Sequence, residues 1–308
     1  NGQGLFRYNL SKNYLEQYEF TSAFGIVAST MADSDNQIWA LTNQGESGVY
    51  KLNKAENKFE PFGLLYNAGN HHSQALAMLE DSEQTLWLGT WECGLQKIDK
   101  YTRQTTTYLH PTDGKGVTHI HSLMEYAPHQ LLIGSDDGLL LFNTLTEEYK
   151  LFTENETVPN SLSNRFVYPI IKDREGGIWV GTNAGGINYL TPGTNWFNTF
   201  CYTPGKTSAP GKVINSFCEN TDGTIWIGTD NKGLWNYNPH DQSFTPVYLD
   251  AKNPDLSVHA LYCDHHELWV GTYAHGVYRL NSATGKVTNY SDKNIKGLNP
   301  GSVYACLL

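Results

Sequence analysis

An all-β fold built by repetition is predicted by three features of this 308-residue chain. A core of an aliphatic residue, Trp, any residue, Gly and Thr returns every 43 to 48 residues. A second element, Gly followed by an aliphatic residue and often an aromatic, then Asn or Asp, follows each core. The intervening segments are short apolar runs bounded by turn residues, in a chain with 29 Gly and 19 Tyr. Runs of four to six residues between turns are a strand signature. The period fits propeller blades and is too long for leucine-rich or ankyrin repeats. The predicted fold is therefore a β-propeller of four-stranded blades.

Each unit reads as four strands. Strand A is apolar, as in Arg165-Phe166-Val167-Tyr168-Pro169-Ile170-Ile171. A turn such as Asp222-Gly223 leads into strand B, which holds the Trp core. The core is regular at Leu86-Trp87-Leu88-Gly89-Thr90, Ile178-Trp179-Val180-Gly181-Thr182, Ile225-Trp226-Ile227-Gly228-Thr229 and Leu268-Trp269-Val270-Gly271-Thr272. It is degenerate at Ile38-Trp39-Ala40-Leu41-Thr42, which lacks the Gly, and at Leu131-Leu132-Ile133-Gly134-Ser135, which lacks the Trp. Strand C is the Gly-aliphatic element, as in Gly233-Leu234-Trp235-Asn236-Tyr237-Asn238, and strand D follows a polar loop, as in Ser243-Phe244-Thr245-Pro246-Val247-Tyr248.

Six full blades fall within about 21–301. Residues 1–20 read as strands C and D of another unit, and 302–308 as a strand A with no strand B after it. The expectation is a single domain over 1–308, a seven-bladed propeller with an incomplete or composite closing blade. The abrupt apolar C-terminus favours a piece of a larger protein.

Repetition has a simple physical origin. One twisted four-stranded sheet cannot bury both faces alone, and packing against like neighbours buries them. The strand B Trp is expected to fill the wedge between blades. The Gly before strand C is expected to permit a backbone angle that other residues resist. These repeated residues are structural and do not identify a ligand.

The bulk properties exclude several classes. A formal net charge of −10 argues against a general nucleic-acid binder and against docking on an anionic membrane. No apolar run approaches the length of a membrane span. The chain opens Asn-Gly-Gln-Gly, without Met or a signal sequence. Five scattered cysteines form no Cys-x-x-Cys pair, which leaves zinc and thioredoxin-type readings without support, and an odd count in a large chain does not read as a disulfide scaffold. Cys218 and Cys263, at similar places in successive repeats, read as core residues and not as a bridge.

The stretch Asp173-Arg174-Glu175-Gly176-Gly177-Ile178-Trp179-Val180-Gly181-Thr182-Asn183-Ala184-Gly185-Gly186-Ile187-Asn188-Tyr189 resembles the two-component regulator propeller repeat. Four near-perfect copies stand in register, and Pro159-Asn160-Ser161-Leu162-Ser163 before strand A is also similar. The resemblance implies a sensor region of a hybrid two-component system, periplasmic, anchored in the inner membrane and recognising oligosaccharides. It implies as partners a further propeller and a β-domain of the same polypeptide, and a homodimer of the full sensor. The kinase motifs are not in this sequence, so the expectation is a non-catalytic fragment without cofactor.

Chain direction alternates along a blade, so the D-to-A and B-to-C loops are expected on one face, the usual ligand side of a propeller. The B-to-C loops vary while their flanks repeat. They offer Trp91, Glu92, Asp136, Asn183, Asp230, Lys232, Tyr273 and His275 as ligand-binding candidates. Aromatic faces stack on sugars, and amides and carboxylates bond hydroxyls. The D-to-A side adds His121, Arg165 and Lys212 to the candidates, with His71, His72, His119, Asn164 and His259 nearby. His119 and His121 share a strand face, but no carboxylate or Cys cluster completes a metal site. Two other readings compete with glycan sensing. One is a propeller lyase or hydrolase, the other a protein-docking or dimerisation ring.

Overall fold

The structure is a computed structural model that describes residues 5–9, 14–21, 26–43, 48–64, 74–110, 117, 119–155, 160–193, 197–200, 210–291 and 302–303. The described strands form a β-propeller of six four-stranded blades, each built by antiparallel meander. The chain divides into two compact units, residues 1–128 and 129–308.

The first unit opens with β1 (Leu5–Asn9) and β2 (Tyr14–Phe20). Blade one is β3 (Ile26–Ala32), β4 (Ile38–Asn43), β5 (Gly48–Asn53) and β6 (Lys58–Leu64). Blade two is β7 (Ala75–Glu80), β8 (Leu86–Thr90), β9 (Leu95–Ile98) and β10 (Thr105–Tyr108), and β11 (Ile120–Ala127) ends the unit. The second unit begins with β12 (Gln130–Ser135), β13 (Gly138–Asn143) and β14 (Tyr149–Phe152). Blade four is β15 (Val167–Lys172), β16 (Ile178–Thr182), β17 (Ile187–Leu190) and β18 (Phe197–Phe200). Blade five is β19 (Ile214–Glu219), β20 (Ile225–Thr229), β21 (Leu234–Asn238) and β22 (Ser243–Val247). Blade six is β23 (Val258–Asp264), β24 (Glu267–Thr272), β25 (Val277–Asn281) and β26 (Val287–Tyr290).

The expected seventh, composite blade is not formed among the described residues. Strands β1 and β2 do pair as the hairpin expected of strands C and D. However, β2 runs parallel to β6 through Glu19↔Lys58 and Phe20↔Phe59, which widens the first sheet to six strands. The outer strand of a blade has a free ladder edge, and this hairpin covers it. Aromatic packing holds it there: Phe20 stacks on Phe59 at 5.0 Å, and Tyr18 meets the same ring edge-on at 5.4 Å. Of the C-terminal segment, Ser302 and Val303 are described and 304–308 lie outside the described residues. Val303 donates its N–H to Thr272 O at 3.0 Å.

The Trp core explains itself in three contacts. First, the Trp packs against the next blade. Trp39 shares a cluster with Ala75, Leu86 and Leu88, and Trp179 shares one with Ile214, Ile225 and Ile227. Its indole N–H is held by an Asp six residues earlier: Trp39 by Asp33 at 2.8 Å, Trp87 by Asp81 at 2.7 Å, Trp179 by Asp173 at 2.9 Å. The other carboxylate oxygen accepts backbone N–H groups of the A–B turn, so one side chain fixes both turn and indole.

Second, the Gly two residues after the Trp is the place where the next blade's strand A makes its closest approach. A Cβ there would strike Ile120 from Gly89, Ile214 from Gly181, Val258 from Gly228 and Val303 from Gly271. Val303 thus seats on blade six as the first residue of a strand A seats on the blade before it. The degenerate first copy obeys the same rule by exchange. It carries Leu41 where the others carry Gly, and the residue meeting it begins strand A as the small Ala75.

Third, the Thr is fully buried and closes the B–C loop. Its hydroxyl donates to the carbonyl of the Gly before strand C, at 2.7 Å for Thr90, 3.0 Å for Thr182, 2.8 Å for Thr229 and 2.7 Å for Thr272. That Gly has the expected backbone: at Gly276 φ is +75° and a Cβ would collide with Tyr290 O.

Candidate functional site

Within each unit the B–C loops meet the segments that lead into strand A, and the contacts recur from blade to blade. The first loop residue after the buried Thr donates its N–H to the residue just before, or at, the start of strand A. These bonds are Trp91 to Gln74 O at 2.8 Å, Asn183 to Phe166 O at 3.0 Å, Asp230 to Val213 O at 3.1 Å and Tyr273 to Ser257 O at 2.9 Å. With the Thr–Gly clamp beside it, this position has a fixed main chain and a free choice of side chain. Trp91, Asn183, Asp230 and Tyr273 all stand at such positions, and Asp136 follows the buried Ser135, whose hydroxyl donates to Gly138 O.

A second ring of positions lies next to the first. In the innermost strands the ladder register slips after the first residue, between Ala75 and Ala77, Ile214 and Ser216, and Val258 and Ala260. The residue in the bulge leaves the ladder, and bulges re-aim a side chain. This residue is Leu76 in blade two, Asn215 in blade five and His259 in blade six. In β15 the slip spans Tyr168 and Pro169. His121 has the same place in β11, one residue after Ile120. Tyr168 and Asn215 were not among the sequence-derived candidates. Their signal was the column of strand A just after its first, apolar residue, which varies from blade to blade.

In the first unit the two kinds of position build an aromatic cluster. The Trp91 ring stacks on His119 at 3.8 Å and meets His121 edge-on at 6.2 Å. His119 N–H donates to Trp91 O at 3.1 Å, and Trp91 remains 36% exposed. Glu92 is exposed beside it. His71 and His72 lie outside the described residues.

In the second unit, burial and then the charge of Asp136 raise the Tyr168 phenol above its ordinary range. Asn215 donates to Val258 O at 3.0 Å. His259 lies 6.0 Å from the ring of Tyr273, which is 54% exposed. Burial lowers the His259 pKa and the Asp230 carboxylate partly opposes this, so the imidazole is neutral at pH 7. Asp230 also accepts a hydrogen bond from Ser257 Oγ. Lys232 pairs with Asp255 at 3.7 Å, both on the surface. His275 is exposed, with Nδ1 2.8 Å from Tyr273 O. Arg165 lays its guanidinium over Phe166 at 4.9 Å, and Lys212 is exposed with its carbonyl accepting from Gly186 N–H. The structure brings Asp230 and Tyr273 together with His259. It leaves Arg165, Lys212 and Lys232 in surface contacts of their own.

Among the described residues no group of three His, Cys, Asp or Glu is placed to hold a metal ion. Among the same residues no helix is long and apolar enough to cross a membrane. The arrangement offers stacking surfaces, neutral hydrogen-bonding groups and carboxylates on a rigid frame, which is the equipment of a polar-ligand site.

The family profile described as "Two component regulator propeller" matches residues 161–184 and 208–231, the D–A loop and strands A and B of blades four and five. Two successive repeats of the chain thus match the two-component regulator propeller model. A protein described as "Histidine kinase P4" from Formosa agariphila is 34% identical over 87 residues, covering 26% of this chain and 6% of that protein. The extracellular domain of a hybrid two component system from B. thetaiotaomicron is similar over 96% of this chain and 47% of its own, at 20% identity and TM-score 0.51. A streptogramin B lyase is similar over 95% of this chain and 90% of its own, at 12% identity and TM-score 0.72. At such identities the two structures share the propeller fold with this chain. The chain spans less than half the length of the hybrid-system domain and a small part of the kinase.

Proposed function

We propose that this regulator propeller is a non-catalytic, extracytoplasmic sensing part of a hybrid two-component protein, and that its ligand is an oligosaccharide. The signal would pass to a kinase elsewhere in the parent protein, through a further propeller, a β-domain and a dimer of the sensor. In a bacterium with two membranes the compartment is the periplasm. One observation carries the ligand reading: a clamped loop residue beside a strand-bulge residue, repeated with changed side chains in blades of both units. Trp91 with His119 and His121 supplies a stacking surface, and Asp230, His259 and Tyr273 supply bonding groups for hydroxyls. The regulator repeats support the sensor reading, as do the neighbours from two-component systems.

Titration calorimetry of the intact sensor region against a panel of oligosaccharides tests it. Binding of at least one, weakened about tenfold by Trp91→Ala, is the expected result. Loss of Trp91 without effect on binding would move the site away from this loop. No binding by the folded protein would sink the oligosaccharide reading. Release of shortened or unsaturated sugars would replace it with a propeller lyase or hydrolase.

A further inference from the structure

The seam between blades five and six is built differently from its neighbours. At three other seams the second residue of an A–B turn is held by a Glu at the end of the next blade's strand A. Ser34 N–H and Oγ donate to Glu80 at 2.6 and 3.2 Å. Ser82 N–H and Oγ donate to Glu125 at 2.9 and 2.6 Å. Arg174 N–H donates to Glu219 at 3.3 Å, and its guanidinium lies 3.5 Å away. Register fixes the equivalent place in blade six. Glu80 pairs with Leu86 and Glu219 with Ile225, each just before the strand B Trp. The residue pairing with Leu268, just before Trp269, is Cys263.

Its neighbour across the seam is Cys218, opposite Trp226 in blade five. Both pack on the apolar cluster of Trp226, Val258 and Leu268. At the other end of these two strands Asn215 already ties blade five to Val258 O. We propose that Cys218 and Cys263 are a disulfide-forming pair, a covalent tie where three other seams use a carboxylate.

The two thiols are in contact. The Cys263 thiol is pushed far above the ordinary thiol range, first by its hydrogen bond with Cys218 and then by burial. Both are half-buried and open to a small disulfide reagent, whereas Cys93 is fully buried. The oxidant is an external disulfide such as oxidised glutathione. The Cys218 thiolate attacks one of its sulfurs and releases one glutathione thiolate. Cys263, whose proton is held more firmly, then attacks the Cys218 sulfur and releases the second. One S–S bond forms and one breaks, two electrons pass to glutathione, and the two cysteine protons end on the two glutathione thiols.

The test is oxidation of the full chain with oxidised glutathione, then alkylation with N-ethylmaleimide and peptide mapping. The expected product joins the Cys218 and Cys263 peptides. The loop closed by this bond predicts a melting midpoint about 5 °C higher when oxidised than when reduced. The double variant Cys218→Ala/Cys263→Ala is expected to show no such difference. Alkylation of both Cys218 and Cys263 after oxidation would overturn the proposal, as would either one joined instead to Cys201 or Cys306. Mapping on the unmodified chain decides this whether or not the double variant folds.

Discussion

Replacing Asn220 by Asp gives blade five the turn that blades one, two and four use. In those blades an Asp accepts the indole N–H of the strand B Trp at 2.7 to 2.9 Å. In blade five Asn220 instead turns its oxygen to Thr221 N–H and its amide to Thr224 Oγ1. Trp226 is 6% exposed, and its Nε1 has no hydrogen-bond partner. The cause lies across the seam. Where Cys263 replaces the usual Glu, Thr221 N–H has no carboxylate to meet, and Asn220 serves it.

A charge-assisted bond contributes about 2 kcal/mol, and burying the carboxylate removes part of that. The net gain expected from Asn220→Asp is about 1 kcal/mol, or a midpoint rise of about 2 °C for a chain of this size. Adding Cys263→Glu restores the acceptor for Thr221 N–H and should add about another 1 kcal/mol, more than its effect alone. Differential scanning calorimetry on the two single variants and the double variant measures both. A control places Asn220→Asp in a Trp226→Phe background, where no indole N–H remains and the gain should vanish. An equal gain in that background, or no gain in the parent chain, would refute the account of an orphaned indole.

Three further outcomes follow from contacts described above. Gly181→Ala should cost about 3 kcal/mol, because its Cβ would lie within 3 Å of Pro169 and Ile214, neither of which can yield; urea denaturation reads this as a lower midpoint at unchanged slope. Glu125→Ala should cost about 1 kcal/mol through loss of the two bonds to Ser82, and hydrogen exchange should speed up at the turn around Ser82. The lowered pKa of His259 means the unfolded chain binds its proton first, so its contribution to stability is full above the ordinary histidine value near 6.5 and is lost as pH falls through that value to the lower folded one. Melting curves from pH 7 to pH 5 should therefore fall less steeply for His259→Gln than for the parent chain.

Much of the fold was legible because the repeated residues each act through the backbone. Trp, Gly and Thr recur in strand B because the same turn, the same blade contact and the same loop closure recur, so a pattern search finds them. The number of blades was harder. Residues 1–20 have the pattern of strands C and D, but pattern does not say which edge a hairpin joins, and Phe20 on Phe59 decided that. The loop candidates Trp91, Asp230 and Tyr273 were visible as variation on a fixed frame. Tyr168 and Asn215 were not, because a bulge shifts a side chain without leaving a turn residue to mark it. The carboxylate ties at Glu80, Glu125 and Glu219 escaped for a related reason: each bonds a turn in the preceding blade, about 45 positions away in sequence.

The clamp of Thr on the Gly carbonyl separates two tasks that most loops must share. Folding depends on the buried hydroxyl and the glycine, and the first residue after the hydroxyl is fixed by its main-chain bond to the start of strand A. Its side chain can therefore be exchanged, blade by blade, with little consequence for stability. Trp91, Asp136, Asn183, Asp230 and Tyr273 already differ in this way. A chain so constructed can drift through ligand specificities while its melting behaviour stays level, and a library varied only at these positions should consist mostly of folded proteins.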